Sequence, residues 1–284
     1  MKKFLFVGNR RFVLDELLKK NVDVKTLVIK DTHLHKDLRK QNKINFEIIS
    51  SKEELLKHIE INDFDIFLSN GCPYILPINK IKKGRYTNIH PSYLPDLKGI
   101  DPVPGSIKFS RDCGATCHEI NEKIDDGPII SRVKIPFTKD LDVTILYQLS
   151  FIAEKEAFNK AFEKKFEIEN SQEKGDWIYY SRKPSDRNVD FNDSPEKIIQ
   201  GIKAFSNKSQ GSFFLINNKE FKVYEAEELI NPYLIKYSKK FKEKEIIFCL
   251  EDILVFKIGE RILKFNKIEG DISSVKPHDK VYKI

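Results

Sequence analysis

The first half of the chain alternates short apolar runs with amphipathic segments, and this succession restricts the fold more than any other feature. Residues 3–8 (KFLFVG) predict a buried strand, and RRFVLDELLKK after them predicts an amphipathic helix. The alternation continues through FDIFLSN to the run RYTNIH. It predicts an α/β fold with a Rossmann-like, mostly parallel sheet flanked by helices. Ligands of such sheets bind at the carboxyl ends of strands, where Gly8, Asn70 and Asn88 fall.

The second half predicts a different architecture. Two more strands, ATCHEI and PIISRVKIPF, precede a long helix, and the polar, turn-rich segment GDWIYYSRKPSDRNVDFNDSP follows it. We place a domain boundary inside that segment, which separates a catalytic domain (1–184) from a smaller one (185–284). In the smaller domain, Ser194 and Pro195 predict a helix start, and Asn217-Asn218 predicts a hairpin tip. About five short strands indicate a small, β-rich, barrel-like domain.

Composition places the chain in a broad class. Of its 284 residues, 40% are hydrophobic, which suffices for a sizeable core, and the net charge of +7 is mild. The start MKKFLFVGN is too short for a signal peptide, and no stretch has the length of a membrane span. We expect a cytoplasmic protein with no membrane association and with reduced thiols, because the cysteines lack disulfide or zinc spacing: Cys72, Cys113, Cys117 and Cys249.

Two short patterns carry candidate chemistry. Asn88 and His90 alternate in a strand and therefore share one face, where they could bind an oxyanion and move a proton. The pair could equally consist of hydrogen-bonded residues at a strand end. Asp125-Asp126-Gly127 could form a turn or ligate calcium, or one of its carboxylates could orient His90 or a water molecule. We interpret His118 as a structural residue.

Two histidines and an aromatic cluster are less informative. We interpret His33 and His35 as solvated residues of a charged loop. The cluster of Trp177, Tyr179 and Tyr180 could stack on a base or sugar, or anchor the junction between the domains.

The stretches NIHPSYLPDLKG and GATCHEINEKIDDGPII, with SNGCPYILP before them, resemble the folate-dependent formyltransferases over roughly residues 1–135. The C-terminal stretch from DFNDSPEKIIQ onwards is similar to the small barrel appended to some members of that family. The resemblance implies the formyltransferase fold, N10-formyltetrahydrofolate as cosubstrate and no metal. It also implies a catalytic triad of Asn88, His90 and Asp125.

The same resemblance suggests which residues contact the two substrates. The folate would lie in the segment NGCPYILP and against the loop before the Asp-Asp-Gly turn, which implies contacts from Pro73, Tyr74, Leu76, Asn121 and Glu122. Acceptor contacts are predicted for a second set, in the loop DLKGIDPVPGS and elsewhere: Tyr93, Lys98, Asp101, Trp177, Tyr179 and Arg182.

Three classes of function remain open from the sequence. We favour transfer of the formyl group to a nucleotide-linked amino sugar, specifically a dTDP-linked 3- or 4-amino-dideoxyhexose of surface polysaccharide (lipopolysaccharide, O-antigen) synthesis, by an enzyme that forms a homodimer. The alternative is a methionyl-tRNA formyltransferase, but residues 185–284 carry 18 Lys and Arg against 16 Asp and Glu, a small excess for tRNA binding. The third class is a formyltetrahydrofolate hydrolase or a non-catalytic folate-binding protein.

Overall fold

The computed structural model describes residues 2–41 and 44–284, and the chain divides into two compact units. One unit comprises Met1–Pro102, Asp112–Pro136 and Gln148–Tyr180. The other comprises Val103–Arg111, Phe137–Tyr147 and Ser181–Ile284. Both units are therefore built from segments that are distant in sequence.

A seven-stranded sheet forms the centre of the first unit. Its strands are β1 (Lys3–Gly8), β2 (Asp23–Ile29), β3 (Glu47–Ile49), β4 (Ile66–Asn70), β5 (Arg85–His90), β6 (Cys113–Glu119) and β7 (Ile129–Ile135). Their order in the sheet is β3-β2-β1-β4-β5-β6-β7. The pairs from β3 to β5 are parallel and the pairs β5–β6 and β6–β7 are antiparallel. The predicted mostly parallel sheet is confirmed.

Helices cover this sheet because its strands are apolar on both faces. In β1 every residue after Lys3 is buried, so neither face contacts water. The covering helices are α1 (Arg11–Leu18), α2 (His33–Gln41) and α3 (Lys52–Ile61). Helix α3 begins after Ser51, whose side chain accepts a hydrogen bond from the amide of Glu54 at 3.2 Å.

Helix α2 corrects one sequence prediction. His33 and His35 lie in a helix rather than a loop, and His35 is buried while His33 is exposed. Leu34 and Leu38 of the same helix enter the hydrophobic core, which holds this mostly polar segment against the sheet.

Two further helices contribute residues to both units. Helix α4 (Pro102–Phe109) replaces the predicted loop, because Pro102 and Pro104 lie in its first turn, where a missing amide hydrogen costs nothing. Helix α5 (Val143–Glu163) confirms the predicted long helix. Its predicted apolar stripe is buried at Leu146, Ala153 and Ala157, and half-buried at Leu149.

The second unit contains a six-stranded antiparallel sheet. Its strands are β8 (Ser212–Ile216), β9 (Lys219–Leu229), β10 (Ile246–Leu250), β11 (Ile253–Ile258), β12 (Arg261–Glu269) and β13 (Val281–Tyr282), in the order β10-β11-β12-β9-β8-β13. The chain just before β13 returns to the start of β10, where the amide of Ile246 donates to the carbonyl of Asp279 at 2.8 Å. The sheet thus curls into the predicted barrel-like domain.

The local structure of this unit agrees with two predictions from the sequence. Asn217 and Asn218 have φ of 49° and 62°, as a two-residue hairpin turn requires. Helix α6 (Pro195–Ala204) begins after Ser194, whose side chain accepts from the amide of Lys197. Helix α7 (Pro232–Ser238) was not predicted.

None of the described helices has the length and apolar composition that a membrane span requires.

Candidate active site

A cavity of about 450 Å³ opens at the carboxyl ends of the central parallel strands in the first unit. The ends of β1, β4 and β5 meet there, because Gly8 pairs with Asn70 and Ser69 pairs with Asn88. This is the edge of a parallel sheet at which ligands are expected. The cavity is lined by both apolar and polar side chains, so it suits an organic ligand with a few fixed polar contacts.

The structure brings the predicted triad together in this cavity. Asn88 and His90 project from β5, and Asp125 comes from the loop between β6 and β7. Nδ1 of His90 lies 3.5 Å from Oδ2 of Asp125. His90 and Asp125 are almost fully buried, whereas Asn88 is half-buried and can reach a ligand.

Asp125 is held by backbone and side-chain contacts. The amide of Gly99 donates to its Oδ2 at 3.0 Å, and the side chain of Gln172 donates to the carbonyls of Asp125 and Gly127 at 2.8 and 2.9 Å. These contacts fix the residue with φ of 50°. The carboxylate is therefore preorganised beside His90.

Burial and charge set the protonation of this pair. Burial lowers the pKa of His90, which outweighs the opposite influence of Asp125, so the imidazole is neutral near pH 7. Burial alone would raise the pKa of Asp125, but the neighbouring His90 and His118 and the amide of Gly99 hold it below its usual range. The site thus combines a neutral imidazole with an ionised carboxylate.

His118, which we interpreted as structural, lines the same cavity as the predicted triad. Only 2% of it is exposed, and its Nε2 lies 3.3 Å from Nδ2 of Asn88 and 3.6 Å from Oδ1 of Asp125. The sequence shows only that His118 alternates with Cys117 in a strand. Its place opposite Asn88 depends on the pairing of β5 with β6.

A buried ion pair in the cavity wall was also missed from the sequence. Arg10, which lines the cavity, contacts the carboxylate of Glu154 in α5, of which 1% is exposed. Nδ2 of Asn70 donates to the same carboxylate at 2.9 Å. Glu154 falls within a helix whose pattern indicates only an apolar stripe, so no local signal reveals its partner.

All five residues predicted to contact the folate line the cavity: Pro73, Tyr74, Leu76, Asn121 and Glu122. Apolar residues also line the cavity: Phe67, Ile75, Ile100, Ile120 and Ile124. Cys72 also faces this cavity, and burial raises the pKa of its thiol to about 11, so it is not a thiolate at neutral pH.

The residues predicted to contact the acceptor are dispersed. Tyr179 lines the cavity and is half-exposed. Lys98 forms an ion pair with Asp126, and the amide of Asp101 donates to the carbonyl of Tyr180 at 3.4 Å. Both residues flank Gly99 and Ile100, which line the cavity.

The remaining three lie elsewhere. The ring of Tyr93 contacts the guanidinium of Arg132, and Nε1 of Trp177 donates to the carbonyl of Glu173 at 2.9 Å. Arg182 lies in the second unit, in a separate concave site with Arg187. Their roles toward an acceptor stay predictions. Across residues 2–41 and 44–284, no group of three or more His, Cys, Asp or Glu side chains is arranged to hold a metal ion.

Comparison with known proteins extends these observations to the whole chain. The family model described as Formyl transferase matches residues 10–162, and that described as Formyl transferase, C-terminal domain, matches residues 182–269. The chain is 26% identical over 252 residues to the methionyl-tRNA formyltransferase of Pelagibacter ubique, with 80% of each chain covered. It is 30% identical over 176 residues to that of Enterococcus faecalis, a match that covers 55% of this chain and 56% of the relative.

Solved structures with the same fold include two formyl transferases. WlaRD, described as a sugar 3N-formyl transferase in the presence of dTDP and 5-N-formyl-THF, matches with a TM-score of 0.72 at 20% identity, covering 94% of this chain and 97% of that one. The N-formyltransferase of Helicobacter canadensis, described in complex with folinic acid and dTDP-3-aminofucose, matches with a TM-score of 0.70 at 20% identity, covering 94% and 99%.

Proposed function

This chain belongs to the formyl transferase family and is a formyl-transferring enzyme, and we propose that it transfers a formyl group from N10-formyltetrahydrofolate to the amino group of a dTDP-linked 3- or 4-amino-dideoxyhexose. The product would serve surface polysaccharide synthesis. The observation that carries the proposal is the convergence of Asn88, His90 and Asp125 on a cavity that also contains the five predicted folate contacts.

Asn88 would stabilise the charge that develops during transfer. The neutral amine of the acceptor attacks the formyl carbon, a new C–N bond forms, and the formyl oxygen becomes an oxyanion. When the intermediate collapses, the bond from carbon to N10 breaks and N10 gains a proton. The half-buried amide of Asn88 can donate to the oxyanion, and one such donor contributes roughly 3–4 kcal/mol in comparable acyl transfers.

His90 would move the proton between the two nitrogens. Its Nε2 donates to the carbonyl of Leu97 at 3.0 Å, so the lone pair of the neutral ring is on Nδ1. Nδ1 can then accept the proton that the attacking amine loses and return it to N10. Asp125, 3.5 Å from Nδ1, stabilises the transient imidazolium.

The cavity suits the pterin and the formyl group of the folate. An apolar wall that includes Leu76 and Ile120 offers contact area to a flat ring, and Asn121 and Glu122 offer polar groups to its edges. The ligands named for WlaRD and for the Helicobacter canadensis enzyme, a formylated folate with dTDP or a dTDP-amino sugar, support this pairing of substrates.

The charge of the second unit favours a sugar over tRNA. Eight of the 18 basic side chains in residues 185–284 lie within 4 Å of a carboxylate, so much of their charge is already compensated: Lys197, Lys219, Lys222, Lys257, Arg261, Lys264, Lys267 and Lys283. Affinity for tRNA depends on phosphate contacts from uncompensated Lys and Arg. Residues 185–284 therefore offer less uncompensated positive charge for tRNA phosphates than their 18 basic side chains suggest.

Methionyl-tRNA is the second candidate acceptor. The match to the Pelagibacter ubique enzyme over 80% of the chain favours it, as do the lysines clustered after α7: Lys239, Lys240, Lys242 and Lys244. A tRNA acceptor would require these lysines to meet the phosphate backbone.

A mass-spectrometric transfer assay tests the proposal. Purified protein and N10-formyltetrahydrofolate are offered a panel of nucleotide-linked amino sugars and, separately, charged initiator tRNA. We expect one dTDP-amino sugar to gain the mass of a formyl group. Transfer only to methionyl-tRNA would establish the second candidate, and release of formate with no modified acceptor would indicate a hydrolase.

Two variants make the assay specific to the active site. Asn88→Ala removes the oxyanion donor and should lower kcat by roughly 10²–10³-fold. Asn45→Ala removes an exposed asparagine and should leave kcat unchanged. Full activity in Asn88→Ala would contradict the catalytic assignment.

A further inference from the structure

The antiparallel register of β5 and β6 places His118 directly opposite Asn88. Both side chains line the cavity, and Nε2 of His118 lies 3.3 Å from Nδ2 of Asn88. Cross-strand neighbours in such a pair are close enough to set each other's orientation. Because His118 is 2% exposed, few water molecules compete for this contact.

The other nitrogen of His118 identifies the tautomer of its ring. Nδ1 lies 2.8 Å from the carbonyl oxygen of Glu119, and a carbonyl can only accept, so Nδ1 carries the hydrogen. In the neutral ring the lone pair is then on Nε2. Nδ2 of Asn88 donates one of its two hydrogens to this lone pair and keeps the second for an oxygen in the cavity.

We propose that His118 is a positioning residue, which holds the carboxamide of Asn88 with its nitrogen, rather than its oxygen, available to the formyl oxygen. This inference rests on the proposed function, in which Asn88 stabilises the oxyanion. A carboxamide can turn by about 180° at little cost when no neighbour distinguishes its two ends. In the turned state, Oδ1 of Asn88 would repel the oxyanion instead of donating to it.

Asp125 offers Nε2 of His118 a second possible partner. Its Oδ1 lies 3.6 Å from that nitrogen, and its Oδ2 accepts from the amide of Gly99. The competing arrangement is an imidazolium whose Nε2 donates to Asp125 while the amide of Asn88 is turned. The two arrangements differ in whether Nε2 of His118 carries a hydrogen.

Nitrogen NMR of the full chain distinguishes these two arrangements and does not require an activity assay. We expect the ¹⁵N chemical shifts of His118 near neutral pH to show a protonated Nδ1 and an unprotonated Nε2. The NMR resonances of the Nδ2 hydrogens of Asn88 should also be shifted by the contact with His118. A protonated Nε2 would overturn the inference.

Kinetics of three variants test the consequence for catalysis. His118→Leu removes the acceptor and should lower kcat by about tenfold to a hundredfold, with KM for N10-formyltetrahydrofolate within about twofold of the parent value. His118→Gln offers an amide oxygen in place of Nε2 and should recover most of the loss. His35→Leu, which removes another buried imidazole in the same unit, should leave kcat unchanged.

A double variant separates failure of this inference from failure of the proposed function. If His118 acts through Asn88, Asn88→Ala combined with His118→Leu should be no slower than Asn88→Ala alone. Independent, multiplying losses would overturn the positioning role while the oxyanion assignment stands, as would full activity of His118→Leu. Full activity of Asn88→Ala would overturn both.

Discussion

The buried ion pair of Arg10 and Glu154 should respond asymmetrically to the removal of its two partners. About 1% of the Glu154 side chain is exposed, against 21% of that of Arg10, which lines the cavity. We consider Arg10→Met, Glu154→Leu and the double variant. Each single change removes one member of the ion pair, and of the two charges only the guanidinium can turn toward water.

The expected magnitudes follow from this difference in burial. Arg10→Met leaves in the protein interior a carboxylate to which Asn70 still donates, and should lower the free energy of unfolding by about 3–5 kcal/mol. Glu154→Leu leaves a guanidinium at the cavity and should cost about 1–3 kcal/mol. The double variant removes both charges and should cost less than either single change, since apolar replacement of a whole buried pair is nearly neutral.

Chemical denaturation of the four proteins provides the measurement. The coupling energy from the double-mutant cycle should amount to several kcal/mol. Lys164→Met breaks an ion pair whose two side chains are 52% and 45% exposed, and as a control it should change stability by less than about 1 kcal/mol. Additive losses, or a greater loss for Glu154→Leu than for Arg10→Met, would refute the reasoning.

Two other predictions concern the neighbourhood of the triad. Because burial lowers the pKa of His90, the unfolded chain binds a proton that the native protein does not, so stability should fall as the pH drops below about 6.5. Thermal melts from pH 7.5 to 5 should show a steeper fall in melting temperature for the parent than for His90→Leu. Parallel plots of melting temperature against pH would contradict the lowered pKa of His90. Gly127→Ala would place a Cβ atom 1.8 Å from the carbonyl oxygen of Glu119, so the Asp125 loop must shift and formyl transfer should fall at least about tenfold. The matched control is Gly201→Ala in α6, where no atom beyond its chain neighbours and the backbone of its own helix lies within 4 Å of the new Cβ. This variant should raise stability by about 0.4–1 kcal/mol, and equal behaviour of the two variants would refute the steric argument.

Elements with strong local signals were predicted correctly. The strand that ends at Gly8, the helix that begins after Ser51 and the hairpin at Asn217-Asn218 match the structure, because periodicity, capping and turn chemistry each act over a few residues. The errors also have local causes. The prolines at the start of α4 resemble turn signals as much as a first helical turn, and α2 contains too few apolar residues to show a clear period.

The candidate site also contains residues whose position the sequence predicted well and residues whose position it did not. Strand alternation places Asn88 and His90 on one face, and the folate contacts follow from the resemblance of one continuous segment and one loop. The acceptor contacts were inferred partly from the resemblance of one loop and partly from side-chain chemistry, and the structure disperses them: Tyr179 lines the cavity, whereas Arg182 belongs to the other unit. Chemical type indicates what a residue can bind and carries no information about which segments become neighbours.

The sequence by itself determined the family and the succession of strands that builds the central sheet, and it predicted the triad of Asn88, His90 and Asp125. Only the tertiary structure decided that Asp125 lies 3.5 Å from His90, that His118 faces Asn88, and that Glu154 contacts Arg10. The physical reason is that local patterns report which face of an element is buried. Contacts between distant segments depend on strand register and on the path of the loops, which no local pattern records.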